Sequence, residues 1–208
     1  MSTAREALLD RCVAHLMETG FSDLSLREIA AGAGTSHRML IYHFGTREQL
    51  LAAIVGRIEA AQRDALADLL SADDDLREVG RKFWQRISDP ALAPAERLFF
   101  EVYSHALYRR AWTDEFRATV ISAWAKPLSD ILVGRGVPAG EAERRARLGI
   151  AAARGLLLDL LVTGDREVLD AANELLSELL TTPVPAPAGS PAASGGTPRT
   201  DPPRRPRR

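Results

Sequence analysis

Apolar positions in this chain recur with helical spacing up to about residue 181, and nowhere with the strict alternation of a strand. Leu8, Leu9, Cys12, Val13, Leu16 and Met17 make one stripe, and Gly20 is placed to end that helix. Ser25-Leu26-Arg27-Glu28 has the spacing of a capping box, flanked by Leu24 and Ile29 as a hydrophobic staple. Gly32 and Gly34 stop this second helix within two turns, and Thr35-Ser36 starts a third that carries Leu40, Ile41 and Phe44. Thr46 and Gln49, again at capping-box spacing, open a long fourth helix with Leu50, Leu51, Ile54, Ile58, Ala61, Ala65, Leu66 and Leu69 on one face. After a break at Asp73-Asp74-Asp75, helices are expected over 76–88, 95–109, 113–135, 140–163 and 165–180. Pro90 and Pro94, then Gly134, Gly136 and Pro138, then Gly164 divide them. The predicted fold class is all-α. Beyond residue 182 the chain is rich in Pro, Ala, Gly, Ser and Arg and has no aromatic. Such a segment cannot bury enough apolar area to offset its ordering entropy, so disorder is expected for 183–208.

Residues 25–44 have the spacing of a helix-turn-helix. Two short helices that cross closely need a small residue at the contact and a glycine in the turn, and Ala30 and Gly34 fit those places. Ile29 and Leu40 supply apolar contact between the helices. A helix beginning at Ser36 presents His37, Arg38, Met39, Ile41 and Tyr42 outward, with a donor-rich N-terminal end suited to a major groove. An ordinary helical hairpin can carry the same small-residue pattern, so the spacing alone leaves that alternative open.

Composition narrows the classes of function. The single cysteine, Cys12, excludes an internal disulfide and a multi-cysteine metal site, and its place in an apolar stripe makes it a core residue. The histidines (His15, His37, His43 and His105) form no HExxH, and there is no P-loop, GxGxxG or GxSxG. No catalytic residue, metal or cofactor is implied. The one acid–base pair on offer for a helical enzyme is Glu101 with His105, four residues apart. The most apolar run, 148–163, contains Arg154 and Asp159 and falls short of the roughly 18–20 apolar residues a membrane span needs. With no apolar signal core at the N-terminus, the chain reads as cytoplasmic. Five arginines and one aspartate give 184–208 a charge of +4, leaving −5 for the rest against the total of −1. The tail is thus a candidate contributor to non-specific DNA binding.

The run L-S-L-R-E-I-A-A-G-A-G-T-S-H-R-M-L-I-Y-H-F-G-T-R-E-Q-L-L, residues 24–51, resembles the TetR family signature, most specifically in Tyr42-His43-Phe44 followed by Arg47-Glu48 and Leu50. The resemblance covers roughly 45 residues from Leu8, about a fifth of the chain. It implies a three-helix helix-turn-helix DNA-binding domain (1–46) and a larger helical ligand-binding and dimerisation domain (47–182, with 47–70 as connecting helix). It further implies a homodimeric transcriptional regulator of double-stranded operator DNA, a repressor released by a small hydrophobic effector, or alternatively an activator or ligand-dependent co-repressor.

Carried over position by position, Arg27 touches DNA from the second helix, and Ser36 caps the recognition helix and reaches phosphate. His37, Arg38 and Met39 stand at base-reading positions, Tyr42 and His43 resemble phosphate contacts, and Arg47 grips the backbone. Many relatives have a small residue at Arg38, threonine at Met39 and tyrosine at Ile41, so here the phosphate contact of the last position is lost. Arg38 either reads guanine bidentately or contacts phosphate.

For the second domain, Trp84, Phe100, Tyr103, His105, Trp112, Phe116, Trp124 and Arg154 are the candidate ligand-binding residues, with plain core as the alternative for each aromatic. Few polar groups are expected to be buried there. Residues 148–162 are apolar on nearly all faces and call for cover by core on one side and a second subunit on the other. Arg154 belongs either to the pocket or to a dimer ion pair, with the pair favoured.

Overall fold

The computed structural model describes residues 3–19, 24–72 and 75–182, without the side chains of 71 and 72. The expected stop at Gly20, the Asp73-Asp74 break and the tail 183–208 lie outside the described residues. Ten α-helices are described: α1 (Ala4–Thr19), α2 (Leu26–Gly32), α3 (His37–Phe44), α4 (Arg47–Ala72), α5 (Leu76–Ile87), α6 (Ala93–Leu107), α7 (Asp114–Thr119), α8 (Ser122–Gly134), α9 (Ala139–Thr163) and α10 (Arg166–Thr181). Short 3₁₀ turns, Pro90–Leu92 and Ala111–Thr113, lead into α6 and α7. Among the described residues there is no strand, and no helix is long and apolar enough to cross a membrane.

Helices α1–α3 close around Leu8, Cys12, Leu16, Ile29, Leu40 and Phe44. Leu50, Leu51, Ile54 and Val55 from the first half of α4 complete that core. Burial pushes the Cys12 thiol up to about 11, as befits an inert core position. At 26 residues, α4 is about 39 Å long at 1.5 Å per residue. It packs against α5 and α6, while α9 packs against α8 and α10, and α10 against α5.

Two expectations are corrected. The helix expected over 113–135 is two helices, broken at Val120 and Ile121. Thr119-Val120-Ile121 is a β-branched run of low helical propensity, and the amide of Trp124 donates to the Ile121 carbonyl rather than to that of Val120. Pro127, inside the expected helix, is accommodated within α8. On α4, Ala61 is exposed, and the buried face instead runs through Gln62.

Arg109 follows α6 with φ of +52°, a left-handed conformation that glycine adopts without the Cβ clash. Its side chain is exposed, so Arg109→Gly is expected to raise stability by about 0.5–1 kcal/mol, read as a higher urea midpoint at unchanged slope.

Candidate nucleic-acid interface and inner cavity

The helix-turn-helix is set by local hydrogen bonds. Ser25 Oγ accepts from the Glu28 amide at 3.4 Å, and the Glu28 carboxylate accepts from the Ser25 amide at 2.8 Å. Those bonds hold the Glu28 carboxyl below its ordinary range. At the other end of α2, the Thr35 amide donates to the Ala30 carbonyl at 2.9 Å and the Gly34 amide to that of Ala31 at 3.2 Å. This Schellman closure needs the φ of +64° that Gly34 supplies. Gly32 has a different reason: a Cβ there would come within about 2 Å of the His15 ring, so the glycine lets α1 and α2 approach. Ser36 caps α3 by accepting from the Met39 amide at 3.2 Å. Thr46 and Gln49 exchange a reciprocal pair of bonds, 2.9 and 3.2 Å, to open α4.

On α3 the outer side chains are Arg38, Met39, Ile41 and Tyr42, the last 78% exposed. His37 and His43 are half-buried at its edges, Tyr42 meets the His43 ring edge-on at 4.9 Å, and Arg27 is exposed on α2. The buried side is Leu40 and Phe44. Arg47 is half-buried, with its Nε donating to the Leu24 carbonyl at 2.9 Å, so it also ties α4 to the start of α2.

Two further arginines brace the motif. Arg5 Nε donates to the His43 carbonyl at 3.3 Å with its guanidinium 4.9 Å from the Phe44 centroid, and Arg11 Nε donates to the Ala33 carbonyl at 3.0 Å. The sequence offers no signal for either, because both lie on the polar side of α1.

A cavity of about 200 Å³ opens between α4, α5, α6, α8, α9 and α10. The eight candidate ligand residues do not share it. Trp84, Trp124 and Arg154 line it; Phe100, Tyr103, His105, Trp112 and Phe116 do not. Phe99 stacks with Phe100, Tyr103 and Phe116 at centroid distances of 5.1, 5.6 and 5.8 Å, and this cluster is continuous with the core under α3. His105 packs on Trp112 at 5.2 Å while Glu101 is exposed. These rings point to the seam between the two halves of the molecule because α6 and the 3₁₀ turn Ala111–Thr113 lie against α4 there.

The cavity lining is also more polar than expected. Glu59, Gln62, Glu96, Arg154, Asn173 and Ser177 all contribute to it. Arg154 pairs with Glu59 of the same chain, Nη2 to Oε2 at 3.4 Å, which corrects the expected dimer ion pair. Its Nη2 also donates to the Val120 carbonyl at 2.7 Å, the group freed by the break before α8. The Trp124 indole donates to Glu59 Oε2 at 2.7 Å. Burial pushes the Glu59 carboxyl up against the opposing pull of Trp124 and Arg154, and burial beside Glu59 pushes Glu96 up to about 7. The missed signal was Gln62 interrupting the spacing Ile54, Ile58, Leu66 on α4.

Residues 8–54 match the family described as bacterial regulatory proteins, tetR family. The match runs from within α1 through α2 and α3 to the first turns of α4, so the helix-turn-helix segment is of the TetR type. The helices α2 and α3 with their turn lie wholly inside the matched residues. Among curated proteins none matches the chain.

Solved structures similar to it include a transcriptional regulator from Rhodococcus sp. Rha1, with 23% identity, 86% of this chain and 96% of that chain covered, and a TM-score of 0.68. The fatty acid degradation regulator FadR from Bacillus halodurans has 15% identity, coverage of 86% and 95%, and a TM-score of 0.60. The multidrug binding protein EbrR, complexed with imidazole, has 24% identity, coverage of 89% and 92%, and a TM-score of 0.53. At such identities the likeness establishes the all-helical TetR-type fold over nearly the whole length.

Proposed function

We propose that the chain is a homodimeric, sequence-specific repressor that a small, largely apolar ligand releases from operator DNA. In this reading 1–46 form the DNA-binding domain and 47–182 the ligand-binding and dimerisation domain, with 47–70 as the connecting helix. The observation that carries it is that one helix serves both ends. Helix α4 starts directly after the recognition helix α3, shares its core through Leu50 and Ile54, and reaches the cavity with Glu59, Gln62 and Leu66. A ligand that moves the far half of α4 therefore moves α3. To release DNA it must bind the DNA-incompetent arrangement more tightly, since equal affinity for both shifts nothing. That two fold relatives are a fatty acid degradation regulator and a multidrug binding protein supports a ligand-taking role.

Dimerisation is supported by Leu158, Val162, Val168, Leu175 and Leu179, large apolar residues exposed on α9 and α10. A second copy related by two-fold symmetry would cover them and set two recognition helices about 34–36 Å apart, one turn of DNA. On the DNA, Arg38 reads guanine from the major groove with His37 and Met39 beside it, and Arg27, Ser36, Tyr42, His43 and Arg47 hold the backbone.

The test is a gel shift on the DNA upstream of the chain's own gene, with and without hydrophobic compounds that perturb tryptophan fluorescence. Arg38→Ala is expected to weaken specific binding by about 1–3 kcal/mol and relax base preference at one position. Tyr42→Phe is expected to weaken all sequences evenly and flatten the salt slope. An unchanged base preference in Arg38→Ala would remove the reading role, and a monomer in light scattering at micromolar concentration would remove the dimer.

A further inference from the structure

Two carboxylates stand beside one guanidinium in the cavity. Glu59 comes from α4, Glu96 from α6 and Arg154 from α9. Arg154 is already engaged by Glu59 at 3.4 Å and by the Val120 carbonyl. Arg145, the other cationic lining residue, is engaged by Glu141 at 2.9 Å and the Leu180 carbonyl at 2.8 Å. Glu96 is only 6% exposed, and its hydrogen bond is a long one from Gln62 Nε2 at 3.5 Å. The Gln62 amide is held that way round because its Oε1 accepts from Arg86 Nε at 3.0 Å. When ionised, Glu96 has no counter-ion of its own among the described residues. The cavity lining is aromatic as well, with Phe83, Trp84, Phe99 and Trp124; Arg154 lies 5.1 Å from the Phe99 centroid and Arg63 5.8 Å from that of Trp124, while Phe83 and Trp84 carry no such cation among the described residues.

An anion entering this cavity would add negative charge to a site where carboxylates already outnumber free cations, in surroundings that amplify the repulsion. A cation is attracted both by the carboxylate and by the ring faces. A cavity of about 200 Å³ has the room for a substituted benzene, since an apolar cavity of about 150 Å³ admits benzene itself. We infer that the cavity takes a small lipophilic cation, an aryl- or alkylammonium whose charge lies against Glu96 and whose apolar body lies among the rings. Arg154 Nη1 and Asn173 Nδ2 are buried without a partner among the described residues. This inference rests on the cavity being the effector site proposed above.

The test uses the full chain at pH 8 and three probes: benzyltrimethylammonium, its uncharged carbon isostere neopentylbenzene, and phenylacetate. Affinities are read by tryptophan fluorescence and calorimetry. The ammonium is expected to bind roughly tenfold or more tightly than the isostere, with phenylacetate weakest. Glu96→Gln should abolish the ammonium's advantage while still binding neopentylbenzene, which shows that the cavity has kept its shape. An ammonium no tighter than the isostere, an advantage that survives Glu96→Gln, or no binding of any probe overturns the inference. Operator release is measured separately. Glu96-dependent ammonium binding without release keeps the cation site and removes the effector role, whereas release by the uncharged or anionic probe keeps the effector role and removes the cation.

Discussion

Arg154→Ala is expected to cost about 3–5 kcal/mol of folding stability, because it strands a carboxylate in the interior. Arg154 and Glu59 side chains are each only 15% exposed. Without the guanidinium, Glu59 retains the Trp124 indole as its donor, and the Val120 carbonyl loses its own. The intact pair is not thereby a large source of stability: at 3.4 Å it is loose, and burial pushes Glu59 up and Arg154 down, each toward neutrality. The cost lies in breaking it one-sidedly. The double variant Glu59→Gln with Arg154→Met should therefore be much closer to the parent than Arg154→Ala is. Urea unfolding of the four corners of that cycle at pH 7 checks this. A loss below about 1 kcal/mol in Arg154→Ala would mean that water already solvates the pair.

Glu96 should make stability fall as pH rises through the neutral range. Burial, reinforced by Glu59 and opposed by Gln62 and Arg154, raises its carboxyl from 4.5 to about 7 in the folded protein. The folded state then binds the proton more tightly than the unfolded chain. The favourable contribution is present below about 4.5 and is lost as pH climbs through about 7, an amount on the order of 3 kcal/mol. Glu96→Gln keeps a neutral amide in place of the acid at every pH. The parent is therefore expected to lose stability relative to Glu96→Gln between pH 4.5 and 8 and to be the less stable of the two at the upper end. Parallel pH profiles of the two proteins would show Glu96 to be solvated in the folded state.

What the sequence determined by itself is whatever rests on neighbours in the chain. The capping boxes at Ser25 and Thr46, the αL glycine at position 34 and the serine cap of α3 are all satisfied by partners within five residues, so their spacing alone placed the ends of α2 and the starts of α3 and α4. The outward set on α3 followed from the period of the helix, because Leu40 and Phe44 had to face inward. Tertiary structure alone decided the cavity. Glu59, Glu96 and Arg154 come from three helices and meet across intervals of dozens of residues, which no local pattern encodes. It also divided the aromatics, sending Trp84 and Trp124 to the cavity and Phe116, Tyr103 and Trp112 to the seam, since all are apolar at helical spacing and only the packing of α6 and the 3₁₀ turn Ala111–Thr113 on α4 distinguishes them. The break at Val120 and Ile121 joins the two levels. A β-branched run makes the helix easy to interrupt there, but the freed Val120 carbonyl is satisfied only because α9 brings Arg154 to it.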